Sequence, residues 1–212
     1  LPVFLKRFAA ALFVFIFGMI VTPLYFCFLA CLLYANLFMK KIEEYVRSIP
    51  DFPEPGIMFR DVTSVLQDPD GLKLAIDSMI KLLDGVDFDI IAGAESRGFI
   101  FGMPIAYALG KAFIPVRKKG KLPLETVEES YDLEYGSATI EMHKDSIKPG
   151  QKVVIIDDLI ATGGTVEACA KMIERLGGEV TRIVFLMELA GLKGREKLAK
   201  YDVKSVIRYD GK

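Results

Sequence analysis

The chain has 212 residues, with 27 Lys and Arg against 28 Asp and Glu and a formal net charge of −1 at pH 7. This length suits one α/β domain with an additional segment. The charge is evenly mixed after Met39, which argues against docking on a nucleic-acid backbone. The three cysteines, Cys27, Cys31 and Cys169, show neither a disulfide framework nor the spacing of a metal site.

Residues 1–38 form an apolar extension. Phe8 to Phe38 contains no charged residue and lies between two pairs of basic residues, and it is long enough to span a bilayer. Three interpretations are open: sequence upstream of the working protein, a membrane anchor or signal segment, and a buried or interface helix. A cleavage site of the A-x-A kind is missing.

The next elements in chain order alternate between helices and strands. Residues 39–49 have the spacing of a short amphipathic helix ended by Pro50, and residues 51–69, with three prolines and a glycine, predict an irregular connection. Further predicted elements are a helix over Gly71–Leu83, a strand over Phe88–Gly93, a polar loop over Ala94–Gly98, and a helix from Phe99 to Gly110. Such alternation predicts a parallel sheet with its loops at one edge.

A third strand follows and leads into a basic exit, with cations at Arg117, Lys118, Lys119 and Lys121. Such a run usually marks a solvated face, but beside a crevice it suits a polyanion. Residues 125–144 predict a loop and then a hairpin in which SATIEMH alternates. His143 is the only histidine, and we interpret it as a polar sheet residue without a catalytic role.

The most informative stretch is VVIIDDLIATGGT, from Val153 to Thr165. Four β-branched residues predict a strand buried on both faces, two aspartates follow where the strand leaves the sheet, and a glycine- and hydroxyl-rich loop opens a helix that stops at Gly177. Glycine backbones and a helix N-terminus bind phosphate well. No Lys follows the glycines as in a Walker A loop, so the acidic pair and loop suit a sugar phosphate.

This stretch resembles the phosphoribosyl-pyrophosphate (PRPP) motif of type I phosphoribosyltransferases. Gly56 to Asp61 and Glu134 to Gly136 narrow the resemblance to the adenine phosphoribosyltransferase family, and it runs from Met39 to the C-terminus. It implies an α/β fold in which helices flank a central, mostly parallel sheet, with a small hood and a flexible catalytic-loop hairpin. We therefore expect residues 39–212 to be the phosphoribosyltransferase domain and residues 1–38 to be upstream sequence.

The resemblance also implies a role for each candidate site residue. Ribose and its phosphate would contact Asp157, Asp158, Ala161, Thr162, Gly163, Gly164 and Thr165. Pyrophosphate would contact Glu95, Ser96, Arg97, Arg117, Lys118 and Lys121, some of them across a dimer interface, with a peptide bond between Glu95 and Ser96 that is often cis in the family. Adenine would be bound by Met58, Phe59 and Arg60, and Glu134, beside Tyr135 in the catalytic loop, would exchange a proton with the purine.

The implied activity is a cytoplasmic conversion of adenine and PRPP to AMP and pyrophosphate by a homodimer. Mg²⁺ would be held mainly by substrate and water, with no protein cage. Three alternatives stay open: a transferase for another purine base, a PRPP-sensing regulator without catalysis, and an enzyme anchored in a membrane through residues 8–38.

Overall fold

The computed structural model describes residues 40–132 and 136–211. The chain divides into two units, Leu1–Lys41 and Ile42–Lys212. Within the two described ranges, no helix has both the length and the apolar character needed to cross a bilayer. The apolar stretch Phe8–Phe38, the cysteines Cys27 and Cys31, and the loop residues Glu134 and Tyr135 lie outside the described residues.

A small two-stranded sheet comes first. A 3-10 helix spans Ile42–Tyr45, and strand β1 (Arg47–Pro50) pairs antiparallel with β2 (Met58–Asp61). Of the predicted helix over residues 39–49, only Ile42–Tyr45 is helical among the described residues, and the prediction is wrong from Arg47 to Ile49, which belong to β1. The Ser64 hydroxyl donates to the Tyr45 carbonyl (2.6 Å) and accepts from the Arg47 N–H (2.8 Å), and the residues after Arg47 find their backbone partners in β2.

Two helices follow within the first half of the domain. Helix α1 (Thr63–Gln67) lies inside the segment predicted as irregular, and α2 (Pro69–Lys81) begins two residues before its predicted start. The Asp68 side chain accepts hydrogen bonds from the N–H groups of Asp70 (2.9 Å) and Gly71 (3.1 Å), and Pro69 occupies the first turn. A capping aspartate followed by proline is a strong helix start.

The main sheet has seven strands in the order β5-β6-β4-β3-β7-β8-β9. Its strands are β3 (Ile90–Ala94), β4 (Ala112–Lys118), β5 (Thr126–Asp132), β6 (Ser137–His143), β7 (Lys152–Ile160), β8 (Glu179–Leu189) and β9 (Val203–Tyr209). Helices α3 (Arg97–Leu109), α4 (Gly164–Arg175) and α5 (Gly194–Lys197) connect them, with a 3-10 turn at Ala190–Leu192. Within this sheet the neighbouring strands β4, β3, β7, β8 and β9 pair parallel to one another. Strand β6 pairs antiparallel with both β4 and β5. The predicted α/β fold with a mostly parallel sheet is confirmed.

The core lies on both faces of the central strand β7. Val153 and Ile155 pack with residues of α4, whereas Val154 and Ile156 pack with residues of α2 and α3 on the other face. All four side chains are fully buried. This burial on both faces explains the run of β-branched residues, which is typical of a central parallel strand.

Residues 126–132 form a strand where the sequence predicted a loop. β5 pairs with β6 along its whole length, from Thr126 opposite His143 to Asp132 opposite Ser137. The Arg175 guanidinium on α4 donates to the Glu128 carbonyl (2.8 Å), and the Ser130 and Thr139 hydroxyls bond across the pair (2.8 Å). These partners are distant in sequence, so local pattern could not reveal them.

Candidate active site

A cavity of about 220 Å³ opens at the carboxyl ends of β3 and β7. Its lining brings together three groups that the sequence had singled out: the acidic pair, the glycine-rich loop and the loop after β3. The lining residues are Glu95, Ser96, Arg97, Tyr131, Asp157 to Val166 and Phe185. A crevice at this edge of a parallel sheet is where α/β proteins bind ligands.

The acidic pair lies within β7, at the point where one of its neighbouring strands stops. β3 pairs with β7 only as far as Ile156, whereas β8 continues to Ile160. The sequence predicted that the strand would leave the sheet at Asp157, and this holds only on the β3 side. The backbone of Gly98 lies close to this end of β7. A Cβ at that position would lie 3.1 Å from Asp157 Oδ1 and 2.9 Å from the Ile156 carbonyl oxygen.

Both carboxylates are held in an environment that disfavours their charge. Asp158 is 3% exposed, and Arg97 Nε lies 3.0 Å from its Oδ2 in an ion pair that lacks hydrogen-bond geometry. Burial raises the pKa of Asp158, although the Arg97 charge acts in the opposite direction. Burial and the neighbouring Asp158 charge raise the pKa of Asp157 well above its usual value. Asp157 Oδ1 accepts a hydrogen bond from the Asp158 N–H (2.9 Å), whereas Asp158 Oδ2 is buried without a hydrogen bond, so a donor such as a sugar hydroxyl would satisfy it.

The phosphate loop consists of Ala161 to Thr165 and leads into α4. Gly163 adopts a left-handed conformation with φ of +79°, which favours glycine, and helix α4 begins at Gly164. Residues 161–165 line the cavity, and the N-terminus of α4, the positive end of its dipole, lies at the cavity lining. The predicted strand, loop and helix are therefore present at the cavity, and the binding of a phosphate there stays a prediction.

The loop after β3 contains a cis peptide bond between Glu95 and Ser96, as the resemblance implied. Ser96 and Arg97 line the cavity. Glu95 also accepts hydrogen bonds from Arg117 Nε (3.2 Å) and from the Lys118 N–H (3.0 Å). The Lys118 N–H chiefly, with help from Arg117, lowers the pKa of the Glu95 carboxyl. Glu95 therefore ties this loop to the end of β4.

The basic exit of β4 does not line this cavity within a single chain. Arg117 pairs with Glu95, and the backbone N–H groups of Lys121 (2.8 Å) and Leu122 (2.9 Å) donate to the buried Glu141 carboxylate. Arg117, Lys118 and Lys121, which the sequence grouped with the pyrophosphate ligands, are therefore not brought together with Arg97 around the cavity.

The predicted base-binding residues lie in the small sheet and are likewise absent from the cavity lining. The Phe59 ring meets Phe52 edge to face at 5.1 Å, and the Arg60 guanidinium lies 4.1 Å above the ring of Tyr209 at the end of β9. The pKa of Asp61 is lowered chiefly by the Thr63 hydroxyl, and the Arg97 charge contributes. These contacts link β2 to the same edge of the main sheet.

Several lining residues were not predicted from the sequence. Tyr131, Leu159, Ile160, Val166 and Phe185 all border the cavity. The ring of Tyr131 lies 3.1 Å from the position that a Cβ on Gly164 would occupy. In TVEESYD the apolar residues Val127 and Tyr131 are separated by three polar residues, so the segment lacks the strict alternation that would have marked a strand ending near the site.

Comparison with known proteins identifies the family. Residues 61–210 match the family described as "Phosphoribosyl transferase domain". The adenine phosphoribosyltransferase of Lachnoclostridium phytofermentans is 78% identical over 174 residues, which make up 82% of this chain and 100% of that protein.

Two solved structures share the fold. The adenine phosphoribosyltransferase of Thermoanaerobacter pseudethanolicus is 53% identical with a TM-score of 0.76, over 79% of this chain and 98% of that one. The Saccharomyces cerevisiae enzyme, solved with adenine and an imino-altritol bisphosphate, is 40% identical with a TM-score of 0.73, over 78% of this chain and 96% of that one. The chain therefore belongs to the adenine phosphoribosyltransferases of the type I phosphoribosyltransferase family.

Proposed function

We infer that the chain transfers the 5-phosphoribosyl group from PRPP to adenine, giving AMP and pyrophosphate, as its relatives do. The observation that carries this function is the cavity in which two adjacent aspartates, the buried Asp158 and the half-buried Asp157, adjoin a glycine-rich phosphate loop. Carboxylates accept hydrogen bonds from ribose hydroxyls, and the loop holds the phosphate. The acidic pair and the loop therefore recognise the two ends of a phosphorylated ribose.

In this proposal Asp157 and Asp158 accept hydrogen bonds from the ribose hydroxyls. The N–H groups and hydroxyls of residues 161–165 hold the 5′-phosphate. The Arg97 guanidinium, which is 47% exposed in its side chain and already faces the cavity, turns from Asp158 towards the pyrophosphate. Charge moves onto the leaving group as the adenine N9 attacks C1′ through a state with oxocarbenium character, comparable to glycoside hydrolysis.

The remaining pyrophosphate ligands are proposed to be Ser96, Arg117, Lys118 and Lys121, some of them acting across a homodimer. Support for the dimer comes from one face of α3, where Ile100, Met103 and Tyr107 are 41%, 50% and 88% exposed. Their spacing places them on one side of the helix, and an exposed apolar stripe beside a ligand site fits a second copy of the chain. Glu95 acts in this proposal by holding Arg117 and the loop in place.

The small β1–β2 sheet is proposed to act as the hood over adenine. Phe59 would stack on the purine, and the backbone groups of Met58 and Arg60 would read its amino edge. The contact between Arg60 and Tyr209 supports this, because it fixes β2 against the edge of the sheet where the cavity opens. The hairpin of β5 and β6 is proposed to carry the catalytic loop, with Glu134 as the proton acceptor or donor and Tyr135 beside it.

Transferases of this family typically use Mg²⁺. The donor set fits this metal, because Asp157 and Asp158 supply carboxylate oxygens and Mg²⁺ prefers oxygen ligands that include substrate phosphates and water. Two carboxylates that also bind ribose are too few to coordinate the ion by themselves, so we propose that substrate and water supply most of its ligands. When bound, it would neutralise charge on the departing pyrophosphate.

Residues 39–212 are proposed to be the complete catalytic domain, acting in the cytoplasm, with residues 1–38 as upstream sequence. The family match spans residues 61–210, and the hood begins at Ile42. All described residues of the cavity lie within this range.

The acidic pair provides the test of this function. The unaltered chain with adenine, PRPP and Mg²⁺ should form AMP and pyrophosphate in equal amounts. Asp157→Asn and Asp158→Asn should each lose about 1.5 to 3 kcal/mol of transition-state stabilisation, read from kcat/KM for PRPP. Asp77→Asn, which removes an exposed carboxylate on α2, is the control. Full activity in either of the first two variants would show that the residue is not a ribose ligand.

A further inference from the structure

The phosphate loop rests on a second loop, between β8 and β9, with no side chain between the two backbones. A Cβ placed on Gly194 would lie 2.3 Å from the Ala161 carbonyl oxygen, and one placed on Gly163 would lie 2.7 Å from the Gly194 carbonyl oxygen. Real Cβ atoms are not found this close to backbone oxygens. The position of the phosphate loop therefore depends directly on where the backbone of residue 194 is held.

The next residue, Arg195, fixes that backbone to the sheet. Its Nε donates to both carboxylate oxygens of Glu188 (2.8 Å each), its Nη1 donates to the Val203 carbonyl (2.7 Å), and its Nη2 donates to the Ser205 hydroxyl (2.9 Å). Each nitrogen of the guanidinium is thus engaged by β8 or β9. A planar, charged group with several donors holds such a position more rigidly than a single contact would.

Glu188 lies at the root of the phosphate loop. It is 3% exposed and sits opposite Ile160 in the last residue pair of the β7–β8 ladder, directly before Ala161. It also accepts from the Ser205 hydroxyl (2.8 Å). Hydrogen bonding from Arg195 chiefly, then from Ser205, lowers the pKa of this carboxyl against the effect of burial. The charged pair is therefore built into the strand that pairs with the root of the loop.

Arg195 is not a substrate ligand in this geometry. It lines a separate cavity of about 310 Å³ with Leu198, Tyr201 and Asp202, and it is absent from the lining of the active-site cavity. Any effect of Arg195 on the reaction is therefore indirect, through the backbone of Gly194 or through Glu188 at the root of the loop.

We propose that Glu188 and Arg195 are positioning residues that hold the 5′-phosphate loop through the contact between Gly194 and Ala161. This inference rests on the proposed assignment of residues 161–165 to the 5′-phosphate. It requires that loss of the pair weakens ligands that carry this phosphate and spares ligands that bind only at the pyrophosphate loop.

The experiment compares two probes, ribose 5-phosphate and magnesium pyrophosphate, by calorimetry on the full chain. The variants are Arg195→Met, Arg195→Lys, Glu188→Gln and the milder Ser205→Ala, which removes one hydroxyl of the same network. The matched control is Arg182→Met. Arg182 also lies on β8, and its guanidinium bonds Asp202 (2.7 Å) and the Leu82 carbonyl (2.5 Å) at the other end of the strand.

We expect Arg195→Met to weaken the binding of ribose 5-phosphate about tenfold or more, because a displaced binding group loses much of its contact with the ligand. Pyrophosphate affinity should change about twofold or less, as for sites that do not share contacts. Arg195→Lys and Ser205→Ala should give smaller losses of the same selectivity, which keeps the test open if Arg195→Met does not fold. Arg182→Met should not weaken the binding of ribose 5-phosphate more than the binding of pyrophosphate.

Two outcomes would overturn the inference in different ways. In the first outcome, Thr165→Val weakens the binding of ribose 5-phosphate, but the Arg195 and Ser205 variants either bind it as the unaltered chain does or lose both ligands equally. The positioning role is then wrong, and the proposed function stands. If the unaltered chain does not bind ribose 5-phosphate, or Thr165→Val has no effect, the assignment of the loop is wrong and the inference falls with it.

Discussion

At the scale of single residues, the site keeps two carboxylates where the folded protein disfavours their charge. Asp157 and Asp158 both have raised pKa values, chiefly because of burial. Arg97 offsets this only in part, since it lies 3.0 Å from one oxygen of Asp158. The arrangement is unfavourable for the empty protein and suited to a ligand that brings hydroxyl donors, which is common where function sets the residue type.

This environment predicts an unusual pH dependence of stability. A carboxyl whose folded pKa is raised binds its proton more tightly in the folded state, so the free energy of unfolding falls as pH rises from the ordinary value of 3.8 through the raised pKa. Asp157→Asn removes this loss, so the variant should become more stable than the unaltered chain as pH rises, by up to about 1.4 kcal/mol per unit of pKa shift.

Chemical denaturation across this range measures the difference between the two proteins. Glu95, Glu141 and Glu188 have lowered pKa values and act in the opposite direction, but both proteins share them, so they cancel in the difference. A difference in stability that does not grow with pH would contradict a raised pKa at Asp157.

At the scale of elements, the phosphate loop needs glycine for two separate reasons. Gly163 has a positive φ, and its Cα faces the backbone of Gly194. Gly150, between β6 and β7, has a similar φ of +84°, but a Cβ added there would have nothing within 4 Å. The two glycines therefore separate the effect of backbone conformation from the effect of contact.

Gly150→Ala should cost about 1 to 2 kcal/mol of stability, the usual cost of a left-handed residue with a Cβ, and should leave the KM for PRPP unchanged. Gly163→Ala should cost at least as much stability and should also raise the KM for PRPP, because the loop must move away from Gly194. Unfolding curves and initial rates measure both. Equal KM values in the two variants would mean that the contact with Gly194 does not set the loop geometry.

Elements whose cause is local were predictable from the sequence, and elements that depend on distant partners were not. The stretch from Val153 to Thr165 carries its own signals, so its strand, acidic pair and loop were predicted together. Residues 47–50 and 126–132 form strands only because β2 and β6 supply backbone partners. The bracing of the phosphate loop by Arg195 could not be foreseen either, because Glu188 and Ser205 reach it through the sheet.

At the scale of the whole molecule, the described catalytic elements form one continuous unit from Ile42 onwards. Two buried clusters cover the two faces of the main sheet, and one of them includes Ile42, Val46 and Val62, which flank the strands of the small sheet. The relative from Lachnoclostridium phytofermentans aligns along its full length with 82% of this chain. These observations favour an independently folding domain.

Residues 39–212 expressed alone should therefore fold as an active homodimer with the turnover of the full chain. Light scattering gives the mass, and initial rates give kcat. Met103→Glu on the exposed face of α3 should shift the mass towards the monomer, whereas Lys197→Glu, at an exposed position of α5, should not. An unfolded or inactive truncated chain beside an active full chain would show that residues 1–38 belong to the fold.

Competition between purine bases shows whether this site makes AMP from adenine in preference to the nucleotides of other bases. With PRPP and Mg²⁺ and equal concentrations of adenine, hypoxanthine and guanine, AMP should dominate the products. A site that pairs with the amino edge of adenine leaves polar groups unpaired when that edge changes, and such sites discriminate by about 10⁴ or more. Equal formation of IMP and AMP would contradict the account, because Met58 to Arg60 could not then be reading the amino edge of the base.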